Sequence, residues 1–249
     1  MSTIYPRAIR FADLWATDHH QMVDEVYAAD IHMESMCKLD HAPVESNADL
    51  HDLEKRLAEL VPQHRHELVR VIAGSQHACL ETTVLSSLTG EYAPACVWWW
   101  MADNGQVGEE VGFFDWERRS ADSHRSHGYV PPYDAALCSH AEALVDALRR
   151  GELGSRLAPD CVVEDVGIGP CELGLGPVEV QEVVVAGSVV AVLFVVRDDR
   201  SLWRGTVVLT ARADGQVISV RCYGDPSTAR TFDAIDPRMK LDRVPSRTN

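Results

Sequence analysis

The chain repeats itself, and a repeat constrains the fold more than any composition does. Val69-Arg70-Val71-Ile72, then Ala73-Gly74-Ser75, then Ala78 to Leu85 reads as strand, glycine turn, strand. Val183-Val184-Val185, Ala186-Gly187-Ser188 and Val189 to Val196 read the same way. Further on, Asn104-Gly105-Gln106-Val107 and Asp214-Gly215-Gln216-Val217 each mark a turn between apolar strands. Ten residues after each of those turn glycines stands an aspartate in an aromatic setting, in Phe113-Phe114-Asp115-Trp116 and in Tyr223-Gly224-Asp225-Pro226. The fronts of the copies agree as well. Leu14, Trp15, Met22, Val23 and Val26 in one, and Leu144, Val145, Leu148 and Leu157 in the other, recur at helical spacing before Tyr27-Ala28-Ala29-Asp30 and Leu157-Ala158-Pro159-Asp160. Each copy is expected to be helix, short strand, then a hairpin-rich sheet.

The spacing divides the chain into a first domain over 1–118, a polar linker over 119–132 ending in Pro131-Pro132, a second domain over 133–232 and a polar tail over 233–249. The copies differ in length. From Asp30 to Gly105 is 75 positions, and from Asp160 to Gly215 only 55. The surplus holds Leu50, Leu53, Leu57 and Leu60, a helical stripe that can roof the first domain. The matching stretch, Gly167 to Gly176, is rich in glycine and proline and predicts no helix, so the second domain is expected to be shortened.

Composition excludes some classes. The longest apolar run, Val183 to Val196, is broken by Gly187-Ser188 and is too short to span a bilayer, and Met1 to Trp15 lacks the apolar stretch of a signal peptide, so a cytoplasmic protein is expected. Seven scattered cysteines without a CxxC pair fit reduced thiols in that compartment. A net charge of −15 without a basic stripe disfavours nucleic acid.

Tyr27-Ala28-Ala29-Asp30-Ile31-His32-Met33-Glu34-Ser35 and its repeat Leu157-Ala158-Pro159-Asp160-Cys161-Val162-Val163-Glu164-Asp165, with the closing Gly-Gln-Val…Asp segments, resemble the SnoaL-like and ketosteroid isomerase-like members of the nuclear transport factor 2-like superfamily. The resemblance implies two tandem cone-shaped α+β domains of the cystatin-like α+β roll type, each a curved sheet wrapped round helices with an apolar pocket. It further implies that they pair as an intrachain pseudo-dimer, with homo-oligomers possible. It implies proton-transfer chemistry on a hydrophobic, polyketide-like small molecule, giving cyclisation, isomerisation or epoxide opening, and no metal or organic cofactor. Many relatives only bind ligands, so a non-catalytic binding or assembly module is the rival reading.

Carried over position by position, the isomerase base falls five residues after the signature aspartate, on Asp165 in the second copy and on Ser35 in the first. Asp165 is then either a base or a turn carboxylate. Ser35 can orient water or substrate but cannot be the base unaided. The isomerase oxyanion aspartate falls near Val97 or Trp98 and near Val207 or Val208, and the isomerase tyrosine near Leu144, so that pair of donors is missing. The His-Trp-Asp triplet of the cyclases falls on Glu110-Val111-Gly112 and Val220-Arg221-Cys222. Glu110 shares a face with Gly112 and is either a pocket carboxylate or a solvated strand residue, while alternation sends Glu109 outward. Alternation also places Met33 and Ile31 inward with Ser35, and separates Trp98 and Trp100 from Trp99. The expectation is that Trp98 or Trp100 walls Glu110, with Glu81 as a second candidate carboxylate. Asp115 and Asp225 read as caps. The pair His64 and His66, with His19, His20, His124 and His127, lacks a third ligand at a recognised spacing, so no metal site is expected. No GxSxG, P-loop or GxGxxG arrangement supports a nucleophilic hydrolase or a nucleotide binder.

Overall fold

A computed structural model describes residues 4–35, 43–61, 63–114, 139–166, 169–224, 230–231 and 238. The chain divides into two compact units, Met1–Pro131 and Pro132–Asn249. The expected linker over 119–132, the tail over 233–249 except residue 238, and Asp115 and Asp225 lie outside the described residues. No described helix is long and apolar enough to cross a membrane.

In the first unit, α1 (Ile4–Trp15) buries Ile4, Ala8, Phe11, Leu14 and Trp15, the stripe expected of one helix face. Asp18 caps α2 (His19–Val26) by accepting the Gln21 N–H at 2.9 Å. The chain passes from α2 straight into β1 (Tyr27–Ser35). α3 (Asn47–Leu60) starts at Ser46, whose hydroxyl oxygen accepts the Asp49 N–H while its O–H donates to the Asp49 carboxylate at 2.7 Å. Leu50 is buried and Leu53 and Leu57 pack beside it, so the leucine stripe does form a helix over the core. Then β2 (His64–Ala73), β3 (His77–Ser86), β4 (Tyr92–Met101) and β5 (Val107–Phe114) run as an antiparallel meander. β1 closes the sheet by pairing parallel to β5, giving the order β1-β5-β4-β3-β2. The core lies between the three helices and one face of this sheet.

The second unit has α4 (Ala141–Arg149), a 3-10 turn at Leu153–Arg156, then β6 (Leu157–Asp165), β7 (Gly169–Pro170), β8 (Glu179–Ala186), β9 (Val189–Arg197), β10 (Ser201–Ala211), β11 (Val217–Tyr223) and β12 (Arg230–Thr231). The order β7-β6-β11-β10-β9-β8 contains the first sheet's order strand for strand, with β6 parallel to β11 as β1 is to β5. Even the turns repeat. Gly105 and Gly215 both have positive φ (77° and 83°), and Asn104 and Asp214 each accept the N–H of the following glutamine, at 2.9 and 3.0 Å. These are two tandem α+β domains. Between β7 and β8 the second has no helix corresponding to α3. Leu173 and Leu175 pack against its core from an irregular segment instead.

Candidate active site in the first unit

The turn at Gly105 sets the register of β5, and that register decides what surrounds Glu110. Glu110 lies opposite Trp99 on β4 and Met33 on β1, on the face that carries the helix core. Its Oε2 accepts two hydrogen bonds of 2.8 Å, from the Tyr27 hydroxyl at the α2–β1 junction and from the Trp99 indole N–H. Phe11 stands edge-on to both donors, with ring centroids 6.4 Å from Tyr27 and 5.1 Å from Trp99. Glu110 is 6 % exposed among these rings. Burial pushes it up to about 7, against the pull of the Tyr27 and Trp99 hydrogen bonds, which favour the ion. Burial and then Glu110 raise the Tyr27 phenol well above its ordinary value, so Tyr27 stays a donor. The other carboxyl oxygen borders the space left by Gly112, where an added Cβ would stand 3.5 Å from Oε1. A buried carboxyl that holds or releases a proton near neutral pH, held by two donors, can act as either acid or base.

The residues expected from sequence sort onto both faces of this sheet. Met33 lies in the core beside Glu110, and Ser35, half-buried, pairs with Gly112 two positions along. Trp98 and Trp100 do not wall the carboxylate. Their partners on β5 are Val111 and Glu109, which puts them on the opposite face, stacked with centroids 6.2 Å apart. The indole beside Glu110 is that of Trp99, because directly opposed residues of an antiparallel pair share a face. Glu81 is corrected in the same way. It pairs across the strands with Cys96, on the Trp98 side, and its carboxylate lies 3.0 Å from the Arg70 guanidinium. Tyr27 and Trp99 were not singled out by sequence reasoning. The signal was available in the repeat, since Tyr27 aligns with Leu157 at the head of the signature.

That alignment extends to the whole site. In the second unit, Leu157 is the counterpart of Tyr27, and Leu209 opposite Val220 is the counterpart of Trp99 opposite Glu110. Leu209 and Val220 are fully buried. The same fold therefore closes its core with three apolar side chains where the first unit keeps three polar ones. Asp165 ends β6 opposite Cys222, half-buried. Burial, followed by Cys171 and Asp165, pushes the Cys222 thiol up to about 12.

A second polar cluster lies in the first unit. Its aromatic spine continues from Phe11 to Trp15, which stacks on His66 at 3.6 Å, and to His64 and His19. Burial, then His64 and His19, keep His66 well below the usual histidine range, and burial followed by His64 lowers His19. The third metal-type ligand that the sequence spacing lacked is Glu54 on α3, which joins His19 and His64.

No family model and no curated protein matches the chain. Solved structures of SnoaL-like and nuclear transport factor 2-like proteins do match, each over about half of it. A SnoaL-like family structure from Agrobacterium tumefaciens is 14% identical and covers 46% of this chain and 99% of its own, with a TM-score of 0.39. A protein from Jannaschia classed as a SnoaL-like polyketide cyclase is 15% identical, covering 52% and 94%, with a TM-score of 0.40. An epoxide hydrolase of the LEH-like type from Mycobacterium tuberculosis is 14% identical, covering 44% and 80%, with a TM-score of 0.36. At these identities the likeness is one of fold.

Proposed function

We propose that the first unit is an acid/base site for a hydrophobic small molecule, with Glu110 as the proton-transferring group. The observation that carries this reading is the buried Glu110 carboxyl held by Tyr27 and Trp99, beside a second unit that builds the same core from Leu157, Leu209 and Val220. Burying a carboxyl and two donors is harder than burying leucines and a valine, and the second copy demonstrates that the fold does not require it. In its ionised form Glu110 takes a proton from a carbon next to a carbonyl. In its protonated form it returns that proton to carbon, or gives one to an alkoxide or epoxide oxygen. Isomerisation and ring closure on a polyketide-like substrate use the carbon proton transfer, whereas epoxide opening uses the proton given to the oxygen as a water attacks carbon and the C–O bond breaks. Ser35, on the same sheet face beside Gly112, orients the reacting group or a water. The second unit, without the trio, is assigned a binding or structural role.

The test compares Glu110→Gln with Glu109→Gln on a panel of apolar ketones and epoxides. Glutamine preserves shape and hydrogen bonding but cannot exchange the proton, so turnover should fall about 10²-fold or more in the first variant and stay near wild type in the second. Equal turnover by both would remove Glu110 from the mechanism.

A further inference from the structure

We propose that His19, Glu54 and His64 form a binding site for a divalent transition-metal cation, with zinc the ion their donor set suits best. The three residues come from separate elements: the first residue of α2, the middle of α3 and the first residue of β2. Their ligand atoms lie within 4.8 Å of one another. Two imidazoles and one carboxylate are the donors of many zinc sites with three protein ligands.

The hydrogen bonding at His64 gives the independent reason. Its Nδ1 lies 3.0 Å from the Val61 carbonyl oxygen. A carbonyl only accepts, so Nδ1 carries a proton, and in the neutral ring Nε2 presents a lone pair. That Nε2 is buried without a hydrogen-bond partner, and so is Glu54 Oε2, which faces it at 3.7 Å. The separation is too long for a hydrogen bond. Two electron-rich atoms held face to face out of water repel unless positive charge lies between them. A metal supplies that charge, and with bonds of about 2.0–2.2 Å two tetrahedral ligands stand roughly 3.4 Å apart, close to the separation seen. The carbonyl bond to the far nitrogen is the arrangement that orients metal-bound histidines. His64 and Glu54 are 3% and 6% exposed, while His19 is half-exposed. His19 and Glu54 also line a cleft of about 480 Å³, which gives the ion a way in and leaves a fourth coordination position for water or a ligand. His20 and His51 border the same cleft but their Nδ1 atoms are bonded to each other at 3.0 Å, and His51 Nε2 reaches Asp24 at 3.1 Å, so both nitrogens of His51 and Nδ1 of His20 are already engaged.

The site stands apart from the Glu110 reading and is tested without a substrate. The full-length protein, stripped with chelator and dialysed, is titrated with Co²⁺ as a spectroscopic probe and with Zn²⁺ in competition. One equivalent should bind, with visible ligand-field bands of low-coordinate cobalt and no thiolate charge-transfer band. Loss of an outer-shell partner alone costs about 10–100-fold in metal affinity, so His19→Ala and Glu54→Gln, each checked for fold by circular dichroism, should cost about 100-fold or more. His20→Ala should bind as wild type. The proposal is overturned by absence of stoichiometric binding, by a thiolate band assigning the metal to cysteine, or by binding that survives His19→Ala and Glu54→Gln.

Discussion

Replacing Glu110 by glutamine has a consequence for stability that needs no substrate and can be sized from the site. The carboxyl, ordinarily near 4.5, is raised to about 7 by burial in the folded chain. Below pH 4.5 it is protonated whether the chain is folded or not. Between 4.5 and 7 the unfolded chain gives up the proton while the folded chain keeps it, so the folded state binds more protons and stability falls as pH rises. Above 7 the folded chain must hold a buried carboxylate. The stability tied to this proton is thus fully present below pH 4.5 and lost as pH rises through about 7. Its size, 1.36 kcal/mol for each pH unit between those values, is about 3 kcal/mol. Glutamine never ionises, so the wild type should lose about 3 kcal/mol relative to Glu110→Gln between pH 4.5 and pH 8. Titrating groups that do not interact with Glu110 cancel in that comparison, so the difference reports Glu110 together with its coupling to Glu54 and Tyr27. Urea unfolding at a series of pH values measures it, followed by tryptophan fluorescence, since Trp15, Trp98, Trp99, Trp100 and Trp116 belong to the first unit and Trp203 alone to the second. A difference between the two proteins that does not change with pH would refute the reasoning, for it would mean that Glu110 is solvated.

Tyr27→Phe leaves Glu110 with one of its two described donors, so the carboxyl should rise further and the first unit should lose about 1–3 kcal/mol in urea unfolding at pH 8, with a smaller loss at pH 5. In the second unit, Val220→Glu places a carboxylate between Leu209 and Val163 without either donor, and should cost about 3 kcal/mol or more at pH 7, read by thermal unfolding. Cys79 and Cys96 are buried with their sulfurs 3.4 Å apart, whereas Cys171 is exposed. An aromatic disulfide reagent should label Cys171 in the native protein and reach Cys79 and Cys96 only after denaturant is added, with labelling sites read by mass spectrometry.

The tandem organisation is legible in the glycine turns because a positive φ restricts residue choice, and that restriction survives where side chains have diverged between the copies. The roof helix is legible for a similar reason, since Leu50, Leu53 and Leu57 repeat with a period only a helix satisfies. Glu110 could be placed on its face by counting from Gly105, whose turn fixes register. Its neighbours were harder. Choosing among Trp98, Trp99 and Trp100 needs the number of residues across the β4–β5 hairpin, and a bulge between Trp100 and Met101 shifts that count by one. One residue of slip exchanges the two faces, which moved Trp98 and Trp100 away from the carboxylate and brought Trp99 to it. His19, Glu54 and His64 come from elements separated by two loops and a strand, and no spacing rule joins them.

The parallel closure of each sheet by its own first strand has a further consequence while the chain is being made. Soon after it emerges β1 meets Val44 on one edge, as β6 meets β7, but the other edge of β1 has no partner until β5 follows, and that of β6 waits for β11 in turn. Since the two sheets share one strand order, β11 is also a geometrically acceptable mate for β1. The polar trio distinguishes the mates. A Tyr27 hydroxyl set against Val220 in place of Glu110 would be buried without its acceptor, at a cost of about 1–3 kcal/mol. The residues that make the first unit chemically competent therefore also label which strand belongs to which sheet.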